Sequence, residues 1–198
     1  MQAGTELFAA QGFDGVPVEA IAERAGVNKA MINYHFGGKR ALYQAILRET
    51  FEEIGAEVKA ISERVGDARA QIEEFIDFVL ELGTTRRVAF PALFLREVIA
   101  GQGPDLEVFK RLGMVVSSVM EIVRRGVQDG TLKPVDPFNA YFMLMAPMSL
   151  FLATQPVRRW GFEKGLLPFA PPPPDQFARE LKEAMLRGLL NPEGKEKS

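Results

Sequence analysis

Three short helical patterns follow one another in the first 38 residues, and each ends at a glycine. These glycines limit the length of the helices that the start of the chain can form. The first pattern ends at Gly12, the second begins at Pro17 and ends at Gly26, and the third ends at Gly37. Glycine readily adopts the left-handed backbone that often follows a helix, and proline is favoured in the first turn. Asn28 stands where an N-cap belongs, able to accept a backbone amide hydrogen. The pattern predicts three helices of only a few turns each.

Apolar residues recur at helical spacing through the rest of the 198 residues, and strand-like alternation is scarce. A longer helix is predicted from Lys39 onward, linking the first three to the remainder. Proline and glycine divide that remainder into further helices, among them an uncharged one at about 136–154 and an amphipathic one at about 175–190. Between these two we expect a loop of about eighteen residues that contains Trp160. The chain is therefore predicted to be all-α.

The composition limits the chemistry that the chain can perform. There is no cysteine and one histidine, which excludes a thiolate metal site and leaves little for a zinc centre or a serine triad. Adjacent carboxylates such as Glu52 and Glu53 point in different directions on a helix, which is typical of a solvated surface. No phosphate-binding glycine loop or nucleophile arrangement is present in the sequence. We expect no enzyme, no cofactor and no bound metal.

The segments that bear on location are the start of the chain and its longest uncharged stretch. The start has no basic region followed by an apolar run, so no signal peptide is predicted and a cytoplasmic protein is expected. The uncharged stretch, residues 137–157, approaches the length of a membrane span. It contains Asn139, Gln155 and three prolines, and its apolar part suits a buried helix better. We expect no membrane partner.

The charge distribution is uneven. The net charge is −2, yet five basic residues and no acidic ones lie between Arg24 and Arg48, both included. Such local asymmetry is typical of a small module that faces a polyanion. A solvated face that lacks acids by chance is the alternative.

Residues 18–36 fit a helix-turn-helix, in which the second helix enters the major groove of DNA. The outward face of that helix is predicted to carry Lys29, Ala30, Asn33 and Tyr34. The side chains expected to pack the two helices together are Ile21, Ala22, Val27, Ile32 and Phe36.

Each outward residue type suits a particular contact with DNA. Asn33 can pair with adenine through two hydrogen bonds, Lys29 can donate to guanine, and Met31 or Ala30 can touch a thymine methyl. Phosphate contacts suit the remaining polar side chains, which are Tyr34, His35 and Lys39. For His35 an ordinary hydrogen-bonded surface histidine is the alternative.

A family resemblance lies in the stretch "ELFAAQGFDGVPVEAIAERAGVNKAMINYHFGGKRALYQAIL". It resembles the N-terminal DNA-binding domain of the tetracycline-repressor (TetR) family, and the match covers about the first 48 residues. The residues that carry it are Leu7, Phe8, Gly12 and Phe13, then "IAERAGV" and "YHFGGKRAL". The resemblance implies a helix-turn-helix DNA-binding domain at 1–48 and a helical domain at 49–198 that binds an effector and dimerises.

The resemblance also implies which residues contact DNA. These are Pro17, Val18, Asn28, Lys29, Ala30, Met31, Asn33, Tyr34, His35 and Lys39. Several depart from the family pattern: "VPV" stands where Thr or Ser is common, Met31 where Thr is common, and Asn33 where an aromatic residue is common. We therefore expect Pro17 and Val18 to bind DNA phosphate more weakly than the Thr or Ser that is common there in the family. Family members usually carry further residues before the first helix, so a chain that starts at Met1 is expected to lack their phosphate contacts.

The remaining 150 or so residues match the family in architecture alone, so their role is predicted by analogy. Most of the abundant phenylalanines and methionines are expected to fill the core, and a minority to line an effector pocket with polar anchors. The predicted pocket residues are Phe78, Phe94, Arg96, Met114, Ser118 and Met145.

We expect a homodimer through the helices at about 136–154 and 175–190, because two copies are needed to read half-sites about one DNA turn apart, roughly 34–36 Å. The predicted function is a ligand-responsive repressor that binds a palindromic operator on double-stranded DNA and is released by a small hydrophobic effector. The alternative is a helical ligand-binding or scaffold protein that has lost specific DNA binding.

Overall fold

The computed structural model of the chain describes residues 1–84 and 105–192, and the regular elements in these two ranges are helices. Within them, strand-type pairing is limited to one isolated bridge between Leu132 and Leu190. The predicted all-α fold is confirmed. The helices are α1 Gln2–Gln11, α2 Val18–Ala25, α3 Lys29–Phe36, α4 Lys39–Glu63, α5 Ala68–Thr84, α6 Leu106–Gln128, α7 Pro137–Ala153, α8 Gln155–Glu163 and α9 Pro174–Leu189.

The first three helices end where the glycines predict. Gly26 and Gly37 have φ of 67° and 82°, in the left-handed region that a residue with a Cβ rarely adopts. The start of α2 differs by one position from the prediction. Pro17 is the N-cap rather than the first helical residue, because its ψ of 150° keeps it extended and helical geometry begins at Val18.

A first set of buried side chains, the N-terminal core cluster, holds α1 to α3 against the first half of α4. Phe8 and Tyr43 lie at its centre, with their rings edge-on and 5.1 Å apart. One member comes from far along the chain, since Val108 of α6 is fully buried among them. The cluster consists of Phe8, Val16, Ile21, Ala22, Ile32, Leu42, Tyr43, Ile46, Leu47, Phe51 and Val108.

A second and larger set, the C-terminal core cluster, is built from α4 to α7 and α9. Helix α4 passes from one cluster to the other: Phe51 belongs to the first, and Val58 and Ile61 belong to the second. Helix α4 is continuous across this point, so a single helix is shared by the two core clusters.

The loop predicted around Trp160 is partly wrong, because residues 155–163 form helix α8. Pro156 occupies the first turn, and Arg159 pairs with Glu163 one turn later at 3.0 Å, which supports a short helix. The helix ends at Glu163, and the chain turns at Gly165, whose φ is 70°, where the amide of Leu166 donates a hydrogen bond to the carbonyl of Gly161. The connection that follows, residues 164–173, is shorter than expected, and it ends in three consecutive prolines.

In the two described ranges, no single helix is long and apolar enough to cross a membrane, although α7 and α8 together reach the length and composition with a 41° bend between them. Several side chains of α7, including Tyr141 and Leu144, are buried in the C-terminal core cluster. No group of three or more potential metal ligands occurs in the same part of the chain.

Candidate nucleic-acid interface

The turn between α2 and α3 is built by backbone hydrogen bonds and one side chain. The amide of Val27 donates to the carbonyl of Ala22 at 2.9 Å, which satisfies a carbonyl at the end of α2. Asn28 then caps α3, its Oδ1 accepting from the amide of Ala30 at 2.9 Å. The predicted N-cap is confirmed. The prediction that Val27 packs between the helices is wrong, because the Val27 side chain lies in the turn and is 44% exposed.

Helix α3 buries one residue, half-buries a second and exposes the others. Ile32 is its buried member, and Phe36 is half-buried against the N-terminal core cluster. Tyr34 is 83% exposed, and its ring meets the ring of His35 edge-on at 5.2 Å. An aromatic side chain this exposed contributes little to the core. The exposed predicted DNA contacts on α3 and its cap are Asn28, Lys29, Ala30, Met31, Asn33, Tyr34 and His35.

The start of α2 lies beside α3 and offers backbone rather than side chains. Pro17 is exposed, whereas Val18 is half-buried and packs against the N-terminal core cluster. The cap of α2 has no side-chain hydrogen bond. The first amides of the helix are therefore the polar groups that this end can offer to an anion.

Lys39 opens α4 and is held by an aromatic ring. Its Nζ lies 4.5 Å from the centroid of the Phe13 ring, and the Arg40 guanidinium lies 5.7 Å from the same ring. Gly38, the N-cap, has φ of 117° and provides no side chain to the first turn. The start of α4 thus places two cations beside the N-terminal end of a helix, an arrangement suited to a phosphate.

This surface contains an ion pair that was not predicted from the sequence. Glu19, the second residue of α2, accepts a hydrogen bond from Lys29 Nζ at 2.5 Å. This hydrogen bond is the main cause that lowers the pKa of the Glu19 carboxyl below its ordinary value. The sequence signal was weak, because the two residues are ten positions apart on different helices.

The predicted effector residues are not gathered around one cavity in the described part of the chain. Phe94 and Arg96 lie outside the described residues. Phe78 and Met145 are half-buried against the C-terminal core cluster, and Ser118 is half-buried on α6. Met114 is 51% exposed and lies against Gly55 of α4.

A cleft of about 820 Å³ opens elsewhere, between α5, α9 and the segment that precedes α7. Of the four predicted effector residues that the structure describes, none lines this cleft. Its lining is rich in charged residues, among them Asp67, Lys133, Lys182 and Arg187. Such a lining does not suit the predicted hydrophobic effector.

Apolar side chains are exposed along α7 and α8 rather than along α9. Helix α7 exposes Phe138, Phe142, Met143 and Leu150. In contrast, the exposed positions of α9 include charged residues such as Arg179, Glu183 and Arg187. The second apolar group follows α7 directly and consists of Val157, Trp160, Phe162, Leu166 and Phe169.

Comparisons with known proteins agree on one family. Residues 1–46 match the model of bacterial regulatory proteins of the tetR family. The chain is similar to the HTH-type transcriptional regulator RutR of Escherichia coli (strain K12), with 34% identity over 148 residues, which is 74% of this chain and 68% of RutR.

The fold is similar to two solved structures. One is PfmR, a TetR family transcriptional regulator from Thermus thermophilus, with a TM-score of 0.73, 21% identity, and coverage of 94% of this chain and 96% of that one. The other is AibR in complex with isovaleryl coenzyme A and operator DNA, with a TM-score of 0.75, 17% identity, and coverage of 94% and 95%. These identities show the shared fold alone. Taken with the relationship to RutR, the helix-turn-helix and the helical body behind it show that the chain belongs to the TetR family of bacterial transcription regulators.

Proposed function

We propose that the chain is a repressor that binds a two-fold symmetric operator as a homodimer and leaves it when a small hydrophobic or amphipathic effector binds. The observation that carries the DNA-binding part is helix α3, which buries Ile32 and exposes most of its other side chains. These exposed side chains include an amide and a lysine, the groups that read base edges in the major groove.

The predicted contacts divide into two groups in the proposed complex. Asn33, Lys29, Ala30 and Met31 face base edges, with Asn33 contacting adenine through its amide. The phosphate contacts come from the amides that follow Pro17 and from the other polar side chains, namely Asn28, Tyr34, His35 and Lys39. This division predicts which variants relax sequence preference and which weaken binding to every sequence.

The exposed apolar groups of α7 and α8 support a dimer. The rings of Phe138 and Phe142 lie 4.9 Å apart, and a group of exposed apolar side chains of this kind is typical of a protein interface. The proposed surface keeps α7 and α9 and adds α8 with the segment after it, since α8 and that segment expose apolar side chains whereas α9 exposes mainly charged ones. Two copies joined there supply the two α3 helices that a symmetric operator requires.

The proposed effector is an amphipathic molecule with a hydrophobic tail. AibR, which shares the fold, was solved with isovaleryl coenzyme A and operator DNA, so acyl thioesters are the first class to test. Phe78 and Met145 supply apolar surface on α5 and α7. The predicted anchor Arg96 and its neighbour Phe94 stay predictions.

Contacts between α4 and α6 support a route from effector to DNA. Val108 of α6 is buried in the N-terminal core cluster, and Arg111 of α6 pairs with Glu52 of α4 at 3.3 Å. A displacement of α6 therefore pulls on the helix that carries the DNA-binding helices. We propose that α6 has two positions, one that permits DNA binding and one that does not. An effector acts by binding more tightly to the protein when α6 is in the second position.

The remaining assignments follow from this function. A regulator of this kind needs no enzymatic activity, and it acts in the cytoplasm where its operator lies. The division at 48/49 is supported by the two separate core clusters, although Phe51 and Val108, from beyond that boundary, pack in the first of them.

The test is a salt titration of DNA binding. The full-length protein selects duplexes from a random pool, and fluorescence anisotropy then measures affinity for the selected site between about 50 and 200 mM salt. We expect the affinity to fall steeply, since each neutralised phosphate releases counterions. Addition of a series of acyl thioesters should release the site. If no sequence is selected and no salt dependence is seen, the protein is instead a helical ligand-binding or scaffold protein.

A further inference from the structure

Glu19 and Lys29 form an ion pair that joins the N-terminal ends of α2 and α3. The two side chains keep 62% and 51% of their surface exposed, so the pair is available to a partner. In the proposed complex both helix ends face DNA: Pro17 and Val18 meet phosphate, and the first turn of α3 meets the major groove. The pair therefore lies where base edges and backbone are both within reach.

Glu19 places a negative charge on the surface that faces DNA in the proposed complex. Glu19 and Glu23 are the only acidic residues between positions 16 and 40. A carboxylate beside phosphodiesters is repelled by DNA of every sequence, so Glu19 lowers non-specific affinity. Such a penalty raises specificity only when the correct sequence returns a favourable contact to the same group.

Resting on the proposed function, we propose that Glu19 is a specificity-determining residue and that the Glu19–Lys29 pair reads the major-groove edge of a G·C base pair. On that edge guanine N7 and O6 accept hydrogen bonds and cytosine N4 donates one. Lys29 supplies the donors and Glu19 supplies the acceptor. The carboxylate also holds the lysine ammonium near the bases, where otherwise it would move to a phosphate.

The electrostatics of the pair agree with this role. The hydrogen bond from Lys29 keeps the pKa of Glu19 below its ordinary value, so the carboxyl is ionised at neutral pH. An ionised carboxylate is an acceptor without a proton to donate. It therefore favours the cytosine N4 amine over the carbonyl O4 of thymine at the same place in the groove.

The experiment compares two variants that change the charge equally. Glu19→Gln keeps the shape of the side chain and removes its charge. Glu6→Gln is the matched control, because Glu6 of α1 also pairs with a cation of α2, accepting from Arg24 at 2.8 Å at the opposite end of that helix. Each full-length protein is taken through selection from a random duplex pool. Anisotropy then measures its affinity for the wild-type site, for single-base variants of that site and for a non-specific duplex at several salt concentrations.

We expect Glu19→Gln to lose preference at one G·C pair in each half-site, by about five-fold or more. Its affinity for the non-specific duplex should rise, and its salt dependence should steepen by about one released ion per subunit, because Lys29 becomes free to bind a phosphate. Glu6→Gln should keep the wild-type preference at every base pair.

Three results would overturn the inference. If Glu19→Gln keeps the wild-type preference at every position, Glu19 reads no base, and the proposed function stands without it. If the variant weakens binding to all duplexes equally, with a lower melting temperature, Glu19 is structural. If the wild-type protein itself selects no sequence, the proposed function fails and the inference fails with it.

Discussion

Arg48 of α4 donates a hydrogen bond through Nη1 to Oδ2 of Asp105 at 2.8 Å. The same aspartate caps α6, since its Oδ1 accepts from the amide of Val108 at 2.8 Å. One carboxylate therefore joins α4 to the first turn of α6, next to the Val108 side chain that is buried in the N-terminal core cluster. The junction therefore ties the first turn of α6 to the half of α4 that packs in the N-terminal core cluster.

The two roles of Asp105 can be separated by substitution. Asp105→Asn keeps a capping oxygen and removes the charge, so the free energy of unfolding should fall by about 0.5 kcal/mol, as for a partly exposed ion pair. Asp105→Ala also removes the cap and should cost about 1 kcal/mol more. Urea unfolding measures both changes.

Asp136 provides the control for that experiment. It caps α7 by accepting from the amide of Asn139 at 2.9 Å, and no ion pair of Asp136 is found in the described ranges. Asp136→Asn should therefore change the free energy of unfolding by less than Asp105→Asn. Equal changes would mean that the Arg48–Asp105 pair adds nothing.

Two glycines of α6 should respond to alanine in opposite directions. A Cβ on Gly126 would lie 2.5 Å from the Cβ of Ala68 and 2.7 Å from Cγ of Leu132, so Gly126→Ala forces helices apart and should cost about 1–3 kcal/mol. A Cβ on Gly113 meets no described atom within 4 Å, so Gly113→Ala should stabilise the helix by about 0.5–1 kcal/mol. Thermal unfolding of both variants is the measurement, and a stabilised Gly126→Ala would contradict the packing of α5 on α6.

The proposed dimer surface can be followed through the single tryptophan of the chain. Trp160 is 54% exposed in one subunit, so its emission should shift to shorter wavelength as dilute protein is concentrated and the dimer forms. Val157→Glu introduces a charge one helical turn away and should leave a monomer at micromolar concentration in sedimentation. Val65→Glu, on a fully exposed residue of the α4–α5 connection, should leave the dimer intact. A dimer that survives Val157→Glu would move the interface elsewhere.

Base-reading and phosphate-binding residues should differ in how their loss affects DNA binding. Asn33→Ala should cost about 1–3 kcal/mol on the selected operator and relax preference at one position. Lys39→Ala should weaken all duplexes alike and reduce the slope of affinity against salt by about one ion per subunit. Anisotropy on operator and non-specific duplexes separates the two, and the same profile for both variants would refute the division.

The buried hydroxyl of Tyr141 predicts a loss of stability at alkaline pH. Burial raises the pKa of Tyr141 from 10.0 to about 12. The folded state therefore holds this proton more tightly than the unfolded state, so the contribution is complete below pH 10 and declines as the pH rises from 10 to 12. Between about pH 8 and pH 11 the loss from this residue should be about 1.4 kcal/mol. Tyr141→Phe should remove that part of the pH dependence in urea unfolding, and an unchanged dependence would contradict it.

The DNA-binding helices were predictable because their signals are local. Asn28 caps the helix that begins at the next residue, and Gly26 and Gly37 stop helices through their own backbone angles. The predicted start of α2 was wrong by one position, since the fixed φ of Pro17 suits both the N-cap and the first helical residue. Helix α8 was missed because it is only nine residues long and contains Gly161, which weakens the periodic signal.

The helical composition, the helix-turn-helix and the exposure of most α3 side chains followed from the sequence alone, because these depend on contacts within a few residues along the chain. Tertiary structure alone decided that Val108 completes the N-terminal core cluster, that Arg48 meets Asp105 and that Glu19 holds Lys29. These groups are distant in sequence, and what brings them together is the burial of apolar faces, which is non-directional and leaves no local signal of its partner.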